Sequence, residues 1–270
     1  MQLDELSFFL FLPANRLDRL DKAVSTTADA IILDLEDAVA IDQKEQARDG
    51  LWGMLDQAAA LKPIVLRVNG ADTEWHAEDV ATAANLPVVA VMLPKAESAS
   101  TCSQVHQASS KPIIALVETA RGVLNANEIA YASNRLAFGN LDFAADIGIG
   151  QDRLALAYTR SSLVLASRGA GIARPIDGVT QDFNDLQLVE DDARHSRSMG
   201  FGGKLLIHPK QIEPTRLAFR PSAEEITWAE RVIANAGSST GVLTVDGRMV
   251  DMPILKHAHE ILRYTKCGVA

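Results

Sequence analysis

At 270 residues, with 47% hydrophobic and 23% charged side chains, the chain has the composition of an ordinary globular protein and enough length for one large core. Its formal net charge of -9 argues against nucleic acid and anionic membrane as partners, since neither polyanion is drawn to an acidic surface. Cys102 and Cys267 lie far apart with no Cys-x-x-Cys spacing, so the pattern offers neither a zinc site nor a disulfide framework and fits a reducing cytoplasm.

Asp4 and Glu5 stand where a signal peptide would be basic, and the apolar run 8–12 stops at Pro13, so neither a signal peptide nor a membrane span is expected there. That run is the first of eight short apolar stretches: 8–12, 30–35, 64–68, 88–93, 113–117, 136–138, 171–176 and 204–207. Their hydrophobicity is continuous rather than alternating, which marks strands buried on both faces of a parallel sheet covered by helices. Among the intervening segments, 16–25 places Leu17, Leu20 and Val24 on one helical face, and 151–167 does the same with Leu154, Tyr158, Ser161 and Leu165. Eight strand-helix units predict an α/β protein, a TIM (β/α)8 barrel with its site in the loops after the strands. The seventh strand is the weakest, because Pro175 interrupts it and Gly169 and Gly171 loosen its start; it is the one expected to be displaced.

The barrel is expected to end at Arg220-Pro221, giving a domain over 1–221 and an extension over 222–270. Ser222 followed by Glu225 is a capping box opening a helix that carries Ile226, Ala229, Val232 and Ile233. Stretches 242–245 and 248–250 then flank Asp246-Gly247, a two-residue hairpin signal, and Asp251-Met252-Pro253 leads into a last helix with His257, Ile261 and Leu262. Such an extension is too small to fold alone and packs on its own barrel or on a neighbouring subunit.

Read at the strand ends alone, the chain offers Asn15-Arg16, Asp34-Leu35-Glu36-Asp37, Arg67-Val68-Asn69, Pro94-Lys95-Ala96-Glu97, Glu118 with Arg121, Asp142, and His208-Pro209. Acids crowded on one rim repel one another, a cost that a purely structural barrel has no reason to carry. Glu118 and Asp142, with Gly122 and Gly139 beside them for close approach of a ligand to the backbone, are candidate ligands for a hard divalent cation such as Mg2+, with Mn2+ as an alternative.

Five segments carry a resemblance: Ile32-Leu33-Asp34-Leu35-Glu36-Asp37, Leu66-Arg67-Val68-Asn69, Met92-Leu93-Pro94-Lys95-Ala96-Glu97, Leu116-Val117-Glu118-Thr119-Ala120-Arg121-Gly122 and Lys204-Leu205-Leu206-Ile207-His208-Pro209. In order and in type they resemble the citrate lyase beta-subunit-like branch of the HpcH/HpaI aldolase superfamily. The resemblance implies a metal-dependent TIM barrel that makes or breaks carbon-carbon bonds next to a thioester, usually of coenzyme A, and assembles as a homotrimer or hexamer. It makes Glu118 and Asp142 the metal ligands, with Glu36 and Asp37 behind them as holders of metal-bound water or as the base. Arg67 becomes the cation that stabilises the enolate or carbonyl oxygen. The turn Gly139-Asn140-Leu141-Asp142 becomes a binder of a substrate carboxylate through its backbone N–H groups. Asp251 becomes the group that exchanges a proton with the acetyl-type carbon, often in an adjacent subunit, and Arg16, His208 and Pro209 become contacts to the coenzyme A arm. Many relatives have Gly-Ala-Glu-Asp at the turn, so Leu141 replaces an acid; this bears on substrate preference rather than on the reaction class.

Plainer readings stand beside these. Asp34 serves to cap its own turn. Arg67 bridges neighbouring acids, a role compatible with catalysis. Lys95 and Glu97 form a loop ion pair. Asp251, two residues before Pro253, caps the last helix. His257 and His259 fall on different faces and form no metal pair. Gly200-Phe201-Gly202-Gly203-Lys204 lacks the spacing of a phosphate-binding loop and reads as a turn into the eighth strand. Together the residues and the resemblance predict reversible retro-aldol cleavage of a β-hydroxyacyl-CoA, such as malyl-CoA or citramalyl-CoA, to acetyl-CoA and a 2-oxo acid. The alternatives are malate synthase or acyl-CoA thioesterase chemistry, citryl-thioester cleavage on a carrier protein, and, in a different class, a non-catalytic binding or assembly subunit.

Overall fold

The structure, a computed structural model, describes residues 3–236, 243–245 and 248–266. Eight parallel strands close into a barrel in sequence order: β1 (Phe8–Pro13), β2 (Ala30–Asp34), β3 (Ile64–Arg67), β4 (Ala90–Leu93), β5 (Ile113–Val117), β6 (Arg135–Phe138), β7 (Ile176–Asp177) and β8 (Gly203–Leu206). β8 pairs back onto β1 through Phe9 and Leu205, and helices follow the strands, so the TIM barrel expected from the eight apolar runs is what forms. The seventh strand is the displaced one. Only Ile176 and Asp177 pair, Gly171 turns with φ 72°, and the stretch before Ile176 runs as loop because Pro175 has no N–H to give a ladder.

Alternation along each strand sorts two layers. Phe9, Ala30, Ile32, Val65, Ala90, Met92, Ile114, Leu116, Ala137, Ile176 and Leu205 fill the interior as one cluster. One pleat further along, at the C-terminal end, the same inward direction falls on Asp34, Arg67, Glu118, Gly139 and Gly178. The floor is closed by Arg135, which is 1% exposed. Its Nε donates to Arg174 O at 2.8 Å and its Nη1 to Leu3 O at 3.1 Å and to Leu6 O, with the ring of Phe9 against the guanidinium.

Outward-facing Asp177 and Lys204 meet Arg160 in a second buried charge cluster, between the barrel wall and the helices Ala157–Gly169 and Leu186–Ser198. Arg160 Nε donates to Asp177 Oδ1 at 3.0 Å, Lys204 Nζ lies 3.9 Å from Oδ2, and the Ser196 hydroxyl donates to Oδ2. This cluster corrects the face expected for 151–167. The helix begins at Ala157 and buries Thr159, Arg160, Leu163, Ala166 and Ser167, whereas Leu154, Tyr158 and Leu165 are 85%, 73% and 71% exposed. Arg160 is drawn inward by Asp177, and the apolar stripe is left facing out.

The chain forms two compact units, Met1–Thr215 and Arg216–Ala270. In the second, the Ser222–Glu225 capping box is present in both directions, with Glu225 N to Ser222 Oγ at 3.1 Å and Ser222 N to Glu225 Oε2 at 2.7 Å. It opens the helix Ala223–Ala236. β9 (Leu243–Val245) and β10 (Arg248–Val250) pair antiparallel, and the expected turn residues Asp246 and Gly247 lie outside the described residues. Cys267 lies outside them too. Ala229, Val232, Val250, Ala258 and Ile261 make this unit's own small core, closed by the helix Met252–Lys266. No described helix is long and apolar enough to cross a membrane.

Candidate active site

Arg67, at the end of β3, is the hub. Its Nε donates to Asp34 Oδ1 and its Nη2 to Asp34 Oδ2, both at 2.7 Å, a two-pronged pair at the ends of adjacent strands. Nη1 stands 3.0 Å from Glu36 Oε2 and 3.9 Å from Asp37 Oδ2, and the guanidinium carbon lies 4.9 Å from the centre of the Phe11 ring. Asp34 also accepts the N–H groups of Glu36 at 2.9 Å and Ala38 at 3.2 Å, so the turn-capping role expected of it and the bridging role expected of Arg67 both hold. Burial works against the Arg67 cation, but Asp34 and Glu36 outweigh it and raise its pKa further.

Glu36 is 5% exposed and is held by its backbone: Lys44 Nζ donates to the Leu35 and Glu36 carbonyls at 2.9 Å each, with the Trp75 ring against the ammonium. Its carboxylate oxygens lie at ion-pair distance from Arg67 and Lys95, yet neither makes a well-angled hydrogen bond. Burial pushes the Glu36 carboxyl up to about 7, against the pull of Arg67.

Glu118, at the end of β5, is 1% exposed. Its Oε1 accepts the Lys95 backbone N–H at 2.8 Å, and its Oε2 is buried with no hydrogen-bond partner. Burial first, and then Glu36, raise this carboxyl to about 8. Asp142, in the first turn of the helix Asn140–Ile147, adds to that repulsion from an exposed position. The glycines serve a purpose different from the expected one. A β-carbon on Gly139 would stand 2.3 Å from Glu118 Oε2, and one on Gly122 would stand 2.6 Å from Ala96 O; both make room for the chain itself.

Lys95 corrects the sequence reading. It does not pair with Glu97; its Nζ lies 3.4 Å from Glu36 Oε1, and Glu97 instead accepts the Thr119 hydroxyl at 2.9 Å and stands 3.7 Å from Arg121. Lys95 takes φ 47°, a left-handed backbone unusual outside glycine, and that conformation aims its N–H at Glu118. The Pro94-Lys95 pair at a strand end was the available signal, but which acid it serves depends on tertiary packing. Lys44 gave no such signal.

Of the remaining candidates, Gly139 is the N-cap of the Asn140–Ile147 helix with no side-chain cap, so the first-turn N–H groups carried by Asn140, Leu141 and Asp142 have no intrahelical acceptor. The Asn140 amide turns sideways to donate to Val179 O at 3.2 Å. Arg16 is paired two-pronged with Asp18, at 2.9 Å on each arm. His208 Nδ1 accepts the Lys210 N–H at 3.1 Å before Pro209, and its ring stacks on Phe183 with centres 4.5 Å apart. Asp251, in the second unit, accepts the Ile254 N–H at 3.2 Å and so caps the last helix, as its position before Pro253 suggested.

Among the described residues no three His, Cys, Asp or Glu side chains form a ready-made cage for a metal ion. The donors nonetheless fit Mg2+, which takes one or two carboxylates and fills its remaining positions with water and substrate oxygen. Glu118 supplies a buried carboxylate oxygen with nothing bonded to it, and Asp142 a second carboxylate close enough to repel it, while the Glu36 oxygens are engaged in ion pairs with Arg67 and Lys95. A cation would relieve the repulsion between Glu118 and Asp142.

Known proteins resemble this chain along most of its length. A citrate lyase subunit beta-like protein of Mycobacterium tuberculosis is 39% identical over 264 residues, covering 94% of each chain. A (3S)-malyl-CoA thioesterase of Cereibacter sphaeroides is 41% identical over 253 residues, covering 90% of this chain and 88% of that one. The structure of the CitE protein of M. tuberculosis in complex with magnesium, acetoacetate and coenzyme A superposes with a TM-score of 0.86 at 36% identity, covering 98% of this chain and all of that one. The family model for HpcH/HpaI aldolase/citrate lyase matches residues 7–209, from the start of the first strand to the loop after the eighth. With that match and these acids at the strand ends, the chain belongs to the HpcH/HpaI aldolase/citrate lyase family and is an enzyme of that lyase superfamily.

Proposed function

We propose that the chain reversibly cleaves a β-hydroxyacyl-CoA, such as malyl-CoA or citramalyl-CoA, to acetyl-CoA and a 2-oxo acid, with Mg2+ held by Glu118 and Asp142. The observation that carries this reading is the unpartnered, buried Glu118 Oε2 beside an arginine in the barrel mouth. When bound, Mg2+ supplies orientation of the carboxylate and hydroxyl of the 2-oxo-acid half and a lowered hydroxyl pKa. Glu36, with Asp37 next to it, receives the hydroxyl proton as the carbon-carbon bond breaks. Arg67 commits two of its five N–H groups to Asp34 and keeps Nη1 at ion-pair distance from Glu36, and its remaining N–H groups serve the thioester oxygen on which negative charge gathers. The Gly139–Asp142 turn takes the substrate carboxylate on its N–H groups. Asp251, from its own or a neighbouring subunit, returns a proton to the enolate carbon. Arg16, His208 and Pro209 meet the coenzyme A arm.

Loss of turnover on chelation, restored by Mg2+, is the expected result. Asp251→Asn should abolish exchange of the acetyl-CoA methyl protons while leaving 2-oxo-acid binding in place; full exchange in that variant would remove Asp251 from the mechanism.

The thioesterase reading has its own support in the Cereibacter sphaeroides relative. Free thiol released from malyl-CoA would establish it, whereas acetyl-CoA with no free thiol establishes the lyase alone. The assembly proposed is a homotrimer or hexamer, supported by the exposed apolar side chains Leu124, Tyr131, Leu154, Tyr158 and Leu165. A monomeric mass in solution would refute it.

A further inference from the structure

The mouth of the barrel carries an apolar surface that the charge chemistry does not use. Phe11 on β1 and Val179, just beyond β7, are half-buried and both pack on the interior cluster that contains Met92, Leu116 and Ile176. Phe11 lies under Arg67. Val179 sits in a segment whose three consecutive carbonyls are each taken by a side chain from a different element. Lys204 Nζ donates to Gly178 O at 2.8 Å, Asn140 Nδ2 to Val179 O at 3.2 Å, and Gln211 Nε2 to Thr180 O at 2.7 Å. Gly178 is wedged as well, since a β-carbon there would stand 1.9 Å from Asn140 Oδ1. Lys204 and Gln211 are each 1% exposed, so these bonds are not exchanged with water at the surface. The backbone that carries Val179 is thereby fixed just beyond β7, the strand next to β6, and Asn140, which holds its carbonyl, stands two residues before Asp142.

We propose that Val179 is a specificity-determining residue: with Phe11 it forms the wall against which the substituent on the carbonyl carbon of the 2-oxo acid rests, admitting hydrogen or methyl and rejecting larger groups. This rests on the reading above, in which the 2-oxo acid is held at Glu118 and Asp142. A wall that cannot retreat discriminates by volume, and one methylene in an apolar pocket is worth about tenfold or more.

The test is calorimetric binding of glyoxylate, pyruvate, 2-oxobutyrate and oxaloacetate in the presence of Mg2+ to the wild type, Val179→Ala and Val179→Ile, alongside cleavage of malyl-CoA and citramalyl-CoA. In the wild type, 2-oxobutyrate should bind about tenfold more weakly than pyruvate. Val179→Ala should bring the two within about twofold, and Val179→Ile should weaken pyruvate relative to glyoxylate by about tenfold. The same order of affinities in all three proteins overturns the wall. Affinities that reorder in a protein that cleaves neither thioester would leave the wall standing and remove the lyase reading. Absence of any 2-oxo-acid binding overturns both.

Discussion

Gly139 and Glu118 occupy one space: a β-carbon on the glycine would stand 2.3 Å from Glu118 Oε2 and 2.5 Å from its Cβ. The carboxylate can reach the barrel mouth only because the residue that follows the next strand has no side chain. Gly139→Ala should therefore displace Glu118 while leaving the barrel folded. The expected outcome is a circular dichroism spectrum like that of the wild type and Mg2+ binding weakened by at least about tenfold, or about 1.4 kcal/mol. Unchanged Mg2+ affinity by calorimetry would separate Glu118 from the metal.

Glu118 carries a cost in the metal-free protein. Burial and its acidic neighbours raise its pKa to about 8, so at neutral pH the metal-free fold must take up a proton here that the unfolded chain releases. Glu118→Gln keeps the shape and removes that demand. It should abolish Mg2+ binding yet raise the metal-free melting temperature by about 2–4 °C, the shift that about 1 kcal/mol gives a chain of this size. A lower melting temperature would mean that Glu118 is a structural residue first.

Arg67 is bound to Asp34 by two parallel bonds that an ammonium cannot reproduce. Arg67→Lys keeps the charge and loses the fork. A fall in kcat of about 100-fold is expected, with KM changed much less, because the group acts where charge develops. A raised KM with kcat unchanged would make Arg67 a ground-state binder.

Asp177 sets an acid limit on stability. Burial alone would push its carboxyl up from the ordinary 3.8, but Lys204 and Arg160 outweigh burial and hold it lower. A folded value below the unfolded one means stability that is complete above about pH 4 and is lost as pH falls through the unfolded value toward the folded one. Chemical denaturation midpoints of the metal-free protein should drop below about pH 4 through Asp177, and should also decline as pH rises toward 7–8, where the raised carboxyls of Glu36 and Glu118 lose the protons the fold favours. Asp177→Asn leaves Arg160 and Lys204 buried without their counter-charge and should cost about 3–5 kcal/mol at neutral pH. Its midpoint should show a weaker acid drop.

The order and position of seven strands could be read from the sequence because a strand buried on both faces leaves a continuous apolar run, a local signal. β7 left almost none, having two paired residues after a proline. The acids of the site were legible as residues at strand ends, but their partners were not. Lys95 faces Glu36 rather than the nearer Glu97, and Arg160 turns inward to Asp177 against the apolar face of its own helix. Both outcomes depend on charges brought together from distant parts of the chain, which periodicity cannot register. Leu154, Tyr158 and Leu165 read as a buried face for the same reason, since helical spacing tells which side chains share a side and not what lies opposite.

Arg135 closes the barrel's floor by donating to the carbonyls of Leu3 and Leu6, residues that precede the first strand. The few residues ahead of the barrel are thus a stopper rather than a lead-in. Deleting them would strip a buried guanidinium of two of its acceptors and let water in beneath Phe9, at the end of the barrel farthest from the chemistry. Losing Leu3 and Leu6 would loosen the barrel from beneath without touching any residue of its site.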